Sequence, residues 1–148
     1  MGAWGDYMLK NMDKMIPYYY VVFRVIVGIV LAIHGYGKLF AQPGIAGFTG
    51  MLSGMGLPAA GFFAVLVGLI EFVGGICIAV GLFTRLAAIL GGIVMIVALL
   101  FVHFPQGINP LANGGEAALL NLAAFLVMKA YGAGKWSLEK ALWKKEMF

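Results

Sequence analysis

Residues 62–81 read FFAVLVGLIEFVGGICIAVG, twenty residues of which only Glu71 is charged. A hydrocarbon layer about 30 Å thick is crossed by roughly 20 apolar residues rising 1.5 Å each. The length therefore fits a membrane span. A lone carboxylate near its middle is costly, about 3 kcal/mol or more, unless it faces water or a partner. Ala64, Gly68, Gly75 and Ala79 surround Glu71 at helical spacing. Small residues let a second helix approach closely, so this face is expected to turn into a bundle rather than towards lipid.

Composition agrees with a lipid-solvated chain. Of the 148 residues, 63% are hydrophobic and 11% charged, against about 25% charged in soluble domains. The 22 glycines are about twice ordinary usage, as close-packed membrane helices favour. The length fits one domain, residues 1–148. The single cysteine, Cys77, excludes an internal disulfide or a CxxC redox pair, and its apolar neighbours predict an inert thiol. No cleavable signal is evident, and Asp6 stands where a myristoylation motif requires Ser or Thr.

Working outward, the apolar runs predict spans over about 17–40, 58–81, 86–104 and 116–132. Long unbroken runs exclude a β-barrel, and the short turns give an all-α, up-down-up-down four-helix transmembrane bundle. Before the first span, Met8, Leu9, Met12, Met15 and Ile16 fit one face of a short surface helix, although a loose tail fits equally. Pro17 suits the first turn of a new helix. Residues 41–57 read as a glycine-rich polar connection, and residues 105–115, PQGINPLANGG, as a loop. Ser137 can cap a final amphipathic helix within the interfacial tail 135–148, with Trp136 and Trp143 as anchors. Lys10, Lys14, Arg85, Lys135, Lys140, Lys144 and Lys145 fall on one side of this arrangement and Lys38 on the other. The positive-inside rule then places both termini in the cytoplasm.

Two groups of residues could carry chemistry. Counting along the predicted helices puts Arg24 and Glu71 within about one turn in depth, which predicts a buried Arg24–Glu71 ion pair; its role is either chemical or only to fix helix register. At the other end, His34 and Lys38 are one turn apart. His103, Glu116 and Asn121 come to the same level from two further helices. A neutral imidazole, an ammonium and a carboxylate beside an apolar cleft could bind and protonate a quinone carbonyl; the alternative is an ordinary solvated rim. Glu116 also suits a helix N-terminus. Metal binding is disfavoured, because no HxxxH or ExxH spacing is present. Nucleic acid is not an expected partner, since the cations flank the membrane.

The stretches 34–40 (HGYGKLF), 56–58 (GLP), 69–75 (LIEFVGG), 81–87 (GLFTRLA), 116–120 (EAALL) and 134–139 (GKWSLE) together resemble the DoxX/DoxD-like membrane family, from about Arg24 to Leu142. The resemblance implies a four-span inner-membrane protein. Some relatives are subunits of a thiosulfate:quinone oxidoreductase, and others associate with redox-stress enzymes or quinone detoxification. It singles out His34, Lys38, Glu71, Arg85 and Glu116, with Arg24 at the basic position early in the first helix. Related proteins that use a cysteine pair differ from this chain, which argues against a thiol relay. Three functions are therefore expected to compete. One is a quinone-interacting subunit of an oxidoreductase whose electrons come from a soluble partner. The others are a non-catalytic membrane anchor or assembly factor, and a small-solute or proton transporter formed by a homo-oligomer.

Overall fold

A computed structural model describes the backbone of residues 3–147 and the side chains of residues 11–147. The expected apolar face of Met8 and Leu9 lies outside the described side chains. The chain runs α1 (Ala3–Leu39), α2 (Gly44–Gly54), α3 (Ala60–Val80), α4 (Thr84–Ala98), a π-helical turn (Leu99–His103), a 3-10 turn (Phe104–Gln106), α5 (Glu116–Tyr131) and α6 (Leu138–Trp143). No strand occurs among the described residues.

Three stretches are long and apolar enough to cross a membrane: Asn11–Leu39, Ala60–Val80 and Thr84–Gln106. The 16 residues of α5 extend about 24 Å and pack on α4, where Gly91 receives the ring of Phe125. Outward-facing residues such as Ile26, Ile33, Phe62, Val73 and Phe101 are exposed, as expected where lipid supplies the solvent.

Two expectations change. Pro17 does not open a helix; it lies inside the 37-residue α1. A proline there removes one donor, and the carbonyl four residues back belongs to exposed Asp13, where solvent can satisfy it. The connection over 41–57 is mostly the helix α2, whose Leu52 packs on Ala60 and Ala64 at the start of α3. Its glycines concealed an apolar contact face.

The antiparallel pair α1–α3 sets the geometry of the site. A Cβ on Gly28 would lie 2.5 Å from the Ala79 nitrogen, and one on Gly35 would lie 2.2 Å from the Phe72 nitrogen. A Cβ on Gly75 would be 2.4 Å from the Ala32 nitrogen. The two backbones touch, as small-residue faces permit. This contact fixes the register, placing the Gly35–Lys38 turn beside Glu71 and sending Arg24 beyond the end of α3.

Candidate functional site

The register overturns the expected Arg24–Glu71 pair. The residue level with Glu71 on α1 is near Tyr36, twelve positions from Arg24, or about 18 Å along the axis. The expected depth set Pro17 level with the end of α3, whereas α1 runs on past that end and Gly28 is the residue beside Ala79. Glu71 instead pairs with Lys38, whose ammonium donates to both carboxylate oxygens. The Glu71 side chain is 3% exposed and that of Lys38 27%. Lys38 also lies 5.2 Å from the centroid of the Phe48 ring, so α2 covers the pair from one side.

Arg24 has a different solution for its charge. Its guanidinium is buried and donates to the carbonyls of Ala133, Trp136 and Ala79. The Ala79 carbonyl stands in the last turn of α3, where the helix dipole carries partial negative charge, and those of Ala133 and Trp136 lie in the segment between α5 and α6. Gly81, at φ +74°, makes room: a Cβ there would sit 2.6 Å from an Arg24 nitrogen. Tyr20 donates to Gly132 O beside it. At the same end, Glu139 is buried and accepts from the Phe83 N–H at 2.6 Å, at the start of α4. Arg85 donates to Lys129 O and Ala130 O, the last turn of α5, and lies 3.5 Å from Glu146. These groups brace the tail. Arg24 and Arg85 therefore do not belong to the site that holds Glu71.

The site is a polar cavity of about 210 Å³ between α1, α3, α4 and α5. His34, Lys38, Glu71, His103 and Asn121 line it, against an apolar wall that includes Leu31, Met95, Ala98 and Ala118. Thus four of the five expected binding candidates converge. The fifth, Glu116, is exposed and does not line the cavity, although its neighbours Ala117 and Ala118 do. Its place at the first position of α5 turns the carboxylate away while satisfying the helix dipole. Glu71 joins the group instead, through Lys38.

Local sequence explains how His103 arrives there. Pro105 lacks a backbone N–H and ends regular helix beyond it. The preceding turn, Leu99–His103, widens to π geometry, which shifts the rotational phase of His103 relative to α4. Its Nδ1 lies 3.0 Å from Asn113 O. Asn113 is itself buried: its Oδ1 accepts from Gly115 N at 2.8 Å and its amide donates to Gly107 O. The loop over 105–115 is thus held by Asn113, together with Asn109, whose Oδ1 accepts from Leu111 N at 3.1 Å. Among the described residues, no three His, Cys, Asp or Glu side chains come together as a metal site. Cys77 lines a separate apolar groove of about 360 Å³ between α3 and α4, away from these polar groups.

Chemically, the cavity offers both donors and acceptors beside apolar surface. Lys38 spends two hydrogens on Glu71 and retains a third. Asn121 can donate or accept, and each imidazole offers at least one nitrogen. At 210 Å³ the space lies below the roughly 300–1,000 Å³ that encloses a drug-sized ligand. It suits a small molecule, or the polar head of a longer one.

Comparison with known proteins places this architecture. The DoxX family model matches residues 20–104, more than half of the chain. An uncharacterized protein of Haemophilus influenzae is 35% identical over 140 residues, covering 93% of this chain and all of that one. "Inner membrane protein YqjF" of Escherichia coli is 33% identical over 127 residues, 84% of this chain and 92% of its own length. "Putative oxidoreductase CatD" of Bacillus subtilis is 33% identical over 133 residues, 90% of this chain and 93% of its own. No solved structure matches. With spanning helices, the family's core segment and full-length relatives in agreement, the chain belongs to the DoxX family of membrane proteins.

Proposed function

We propose that this protein is a quinone-interacting membrane subunit of an oxidoreductase system, and that the polar cavity receives the quinone head. The observation that carries this reading is the pairing of buried Glu71 with part-exposed Lys38 at a cavity shared with His34, His103 and Asn121. A quinone head has two carbonyl acceptors on an apolar ring. Its recognition requires a few placed polar groups in an apolar cleft within the membrane, which these residues supply. The relative named as an oxidoreductase lends support at the level of reaction class. Electrons would come from a soluble partner at a membrane face.

In this reading α5 serves as a fourth span, the protein lies in the inner membrane, and both termini face the cytoplasm by the excess of lysine and arginine at that end. The tail then rests at the cytoplasmic interface. Its buried groups face the bundle, where Ser137 and Glu139 are enclosed, and this favours a structural role over a docking arm. A transport route would have to pass the Tyr20–Arg24 end, which is tied to carbonyls of residues 132–136.

The test is to purify the full chain in mild detergent, titrate it with decylubiquinone, and repeat with Asn121→Leu. That variant fills the cavity while sparing the ion pair. Saturable binding at low micromolar concentration, weakened tenfold or more by the variant, is expected. Equal partitioning into both proteins, no different from empty micelles, refutes the assignment.

A further inference from the structure

The cavity also carries information about which redox form it holds, and this rests on the quinone reading above. Asn113 O is a peptide carbonyl and can only accept, so the His103 nitrogen 3.0 Å from it must be protonated. In the neutral ring the proton is then on Nδ1, and Nε2 bears a lone pair. Asn113 is held by its bonds to Gly115 and Gly107, so the carbonyl that sets this tautomer is itself fixed. No other hydrogen bond to the His103 ring occurs among the described residues, and His103 lines the cavity.

We propose that His103 is a specificity-determining acceptor that selects the reduced, hydroxyl-bearing hydroquinone over the oxidised quinone. A quinone oxygen facing Nε2 sets one lone pair against another. A hydroquinone donates its O–H to that nitrogen, while the same oxygen or its neighbour accepts from Lys38 or Asn121. A site built to receive a hydroxyl discriminates strongly against the analogue lacking it, because a polar group would otherwise stay unpaired. The preference expected here is about tenfold, since the cavity is small and partly open to water.

The experiment uses full-length protein in detergent under anaerobic conditions, titrated with decylubiquinol, decylubiquinone and the dimethyl ether of the quinol. Wild type should bind the quinol about tenfold more tightly than the other two, and His103→Leu should bring the first two within about twofold. The two histidines of the chain also permit a ligand-free check. In 15N-histidine-labelled protein, with His34→Gln to assign the signals, His103 should show a pyrrole-type Nδ1 and a pyridine-type Nε2. This check, with the wild-type titration, decides the matter should His103→Leu not fold. Quinone bound as tightly as quinol by wild type, or a proton found on Nε2, overturns the inference while leaving the quinone site standing. Failure of all three compounds to bind overturns the quinone reading and this inference with it.

Discussion

Removing Lys38 should hurt more than removing Glu71, because the two ends of the pair differ in exposure. Glu71 sits mid-helix with its side chain 3% exposed, whereas Lys38, in the last turn of α1, is 27% exposed. Stranding one member of a buried pair costs about 3–5 kcal/mol. Lys38→Met leaves a carboxylate inside the membrane-spanning bundle; because the cavity can admit water, the lower end applies, about 3 kcal/mol. Glu71→Gln leaves an ammonium near a helix end that can move its head to the interface, so about 1 kcal/mol is expected. Lys38→Met with Glu71→Met removes both charges and should recover about 2 kcal/mol relative to Lys38→Met alone. The assay is reversible unfolding in mixed micelles as the denaturing detergent fraction is raised. The same assay separates this pairing from the alternative: Arg24→Leu should add to Glu71→Leu without rescue, since their levels differ by about 18 Å. Equal losses for the two Lys38–Glu71 singles with strict additivity in the double would refute the coupling. Rescue of Glu71→Leu by Arg24→Leu would restore the pairing that the register rejects.

Four further outcomes follow from the packing and the tail. Gly75→Val should abolish the folded state, because a Cβ there meets Ala32 backbone at 2.4 Å; Gly37→Ala, with open space around its Cβ, should stabilise by about 0.5–1 kcal/mol. Size-exclusion profiles and unfolding midpoints read both, and a Gly75→Val protein as stable as wild type would disprove the close approach. Truncation after Gly134 should lower the unfolding midpoint of the whole bundle, since it deletes the Trp136 carbonyl bonded to Arg24 and the buried Ser137 and Glu139; an unchanged midpoint would show the tail to be dispensable. Burial raises the Glu146 carboxyl, but hydrogen bonding and charge from Lys140, the Gly134 backbone and Arg85 outweigh it, and the net shift is downward. The stability it contributes is then fully present above the ordinary carboxylate value of about 4.3 and is lost as pH falls through the lowered value. The difference between wild type and Glu146→Gln should accordingly vanish in acid, and a gap that persists there would rule out the ionic contribution.

What could be read from the chain followed from periodicity and composition. The apolar run around Glu71 and the small residues Ala64, Gly68 and Gly75 gave the bundle-facing side of α3 directly, and those residues are buried. His34, Lys38, His103 and Asn121 could be grouped because loop and helix ends locate them at one level, and they share one cavity. Depth was harder. Counting from presumed helix starts tolerates an error of several residues, and Arg24 lies about 18 Å from the level of Glu71 where about one turn was expected. Better information lay in Gly28, Ala32 and Gly35 facing Phe72, Gly75 and Ala79, because mutual backbone contact permits only one register. α2 was hidden by its four glycines at 44, 47, 50 and 54; they weaken helix propensity, and its packing on the start of α3 and against Lys38 supports it. Asn113 could be placed in the loop beside the site, but its role was not legible, since it holds a loop whose shape is tertiary.

Two cations, Arg24 fully buried and Lys38 part-exposed, show how one bundle separates bracing from chemistry. Arg24 has a rigid planar fork, and backbone carbonyls in the last turn of α3 and in the segment between α5 and α6 meet it; such partners are part of the backbone and cannot be exchanged for a ligand. Lys38 has a compact ammonium on a flexible stem, and its partner is a side chain at the edge of a cavity. An arriving oxygen can take the third hydrogen of Lys38 without unfolding anything. Replacing Lys38 by arginine therefore tests whether geometry or charge is required. Lys38→Arg keeps the positive charge and should retain most of the stability, within about 1 kcal/mol, since a bidentate pair with Glu71 remains possible. It should nevertheless weaken quinol binding about tenfold, because the larger planar head occupies space that the ligand needs and commits its donors to the carboxylate. Wild-type affinity in a stably folded Lys38→Arg protein would show that charge alone is sufficient and that the third ammonium hydrogen plays no part.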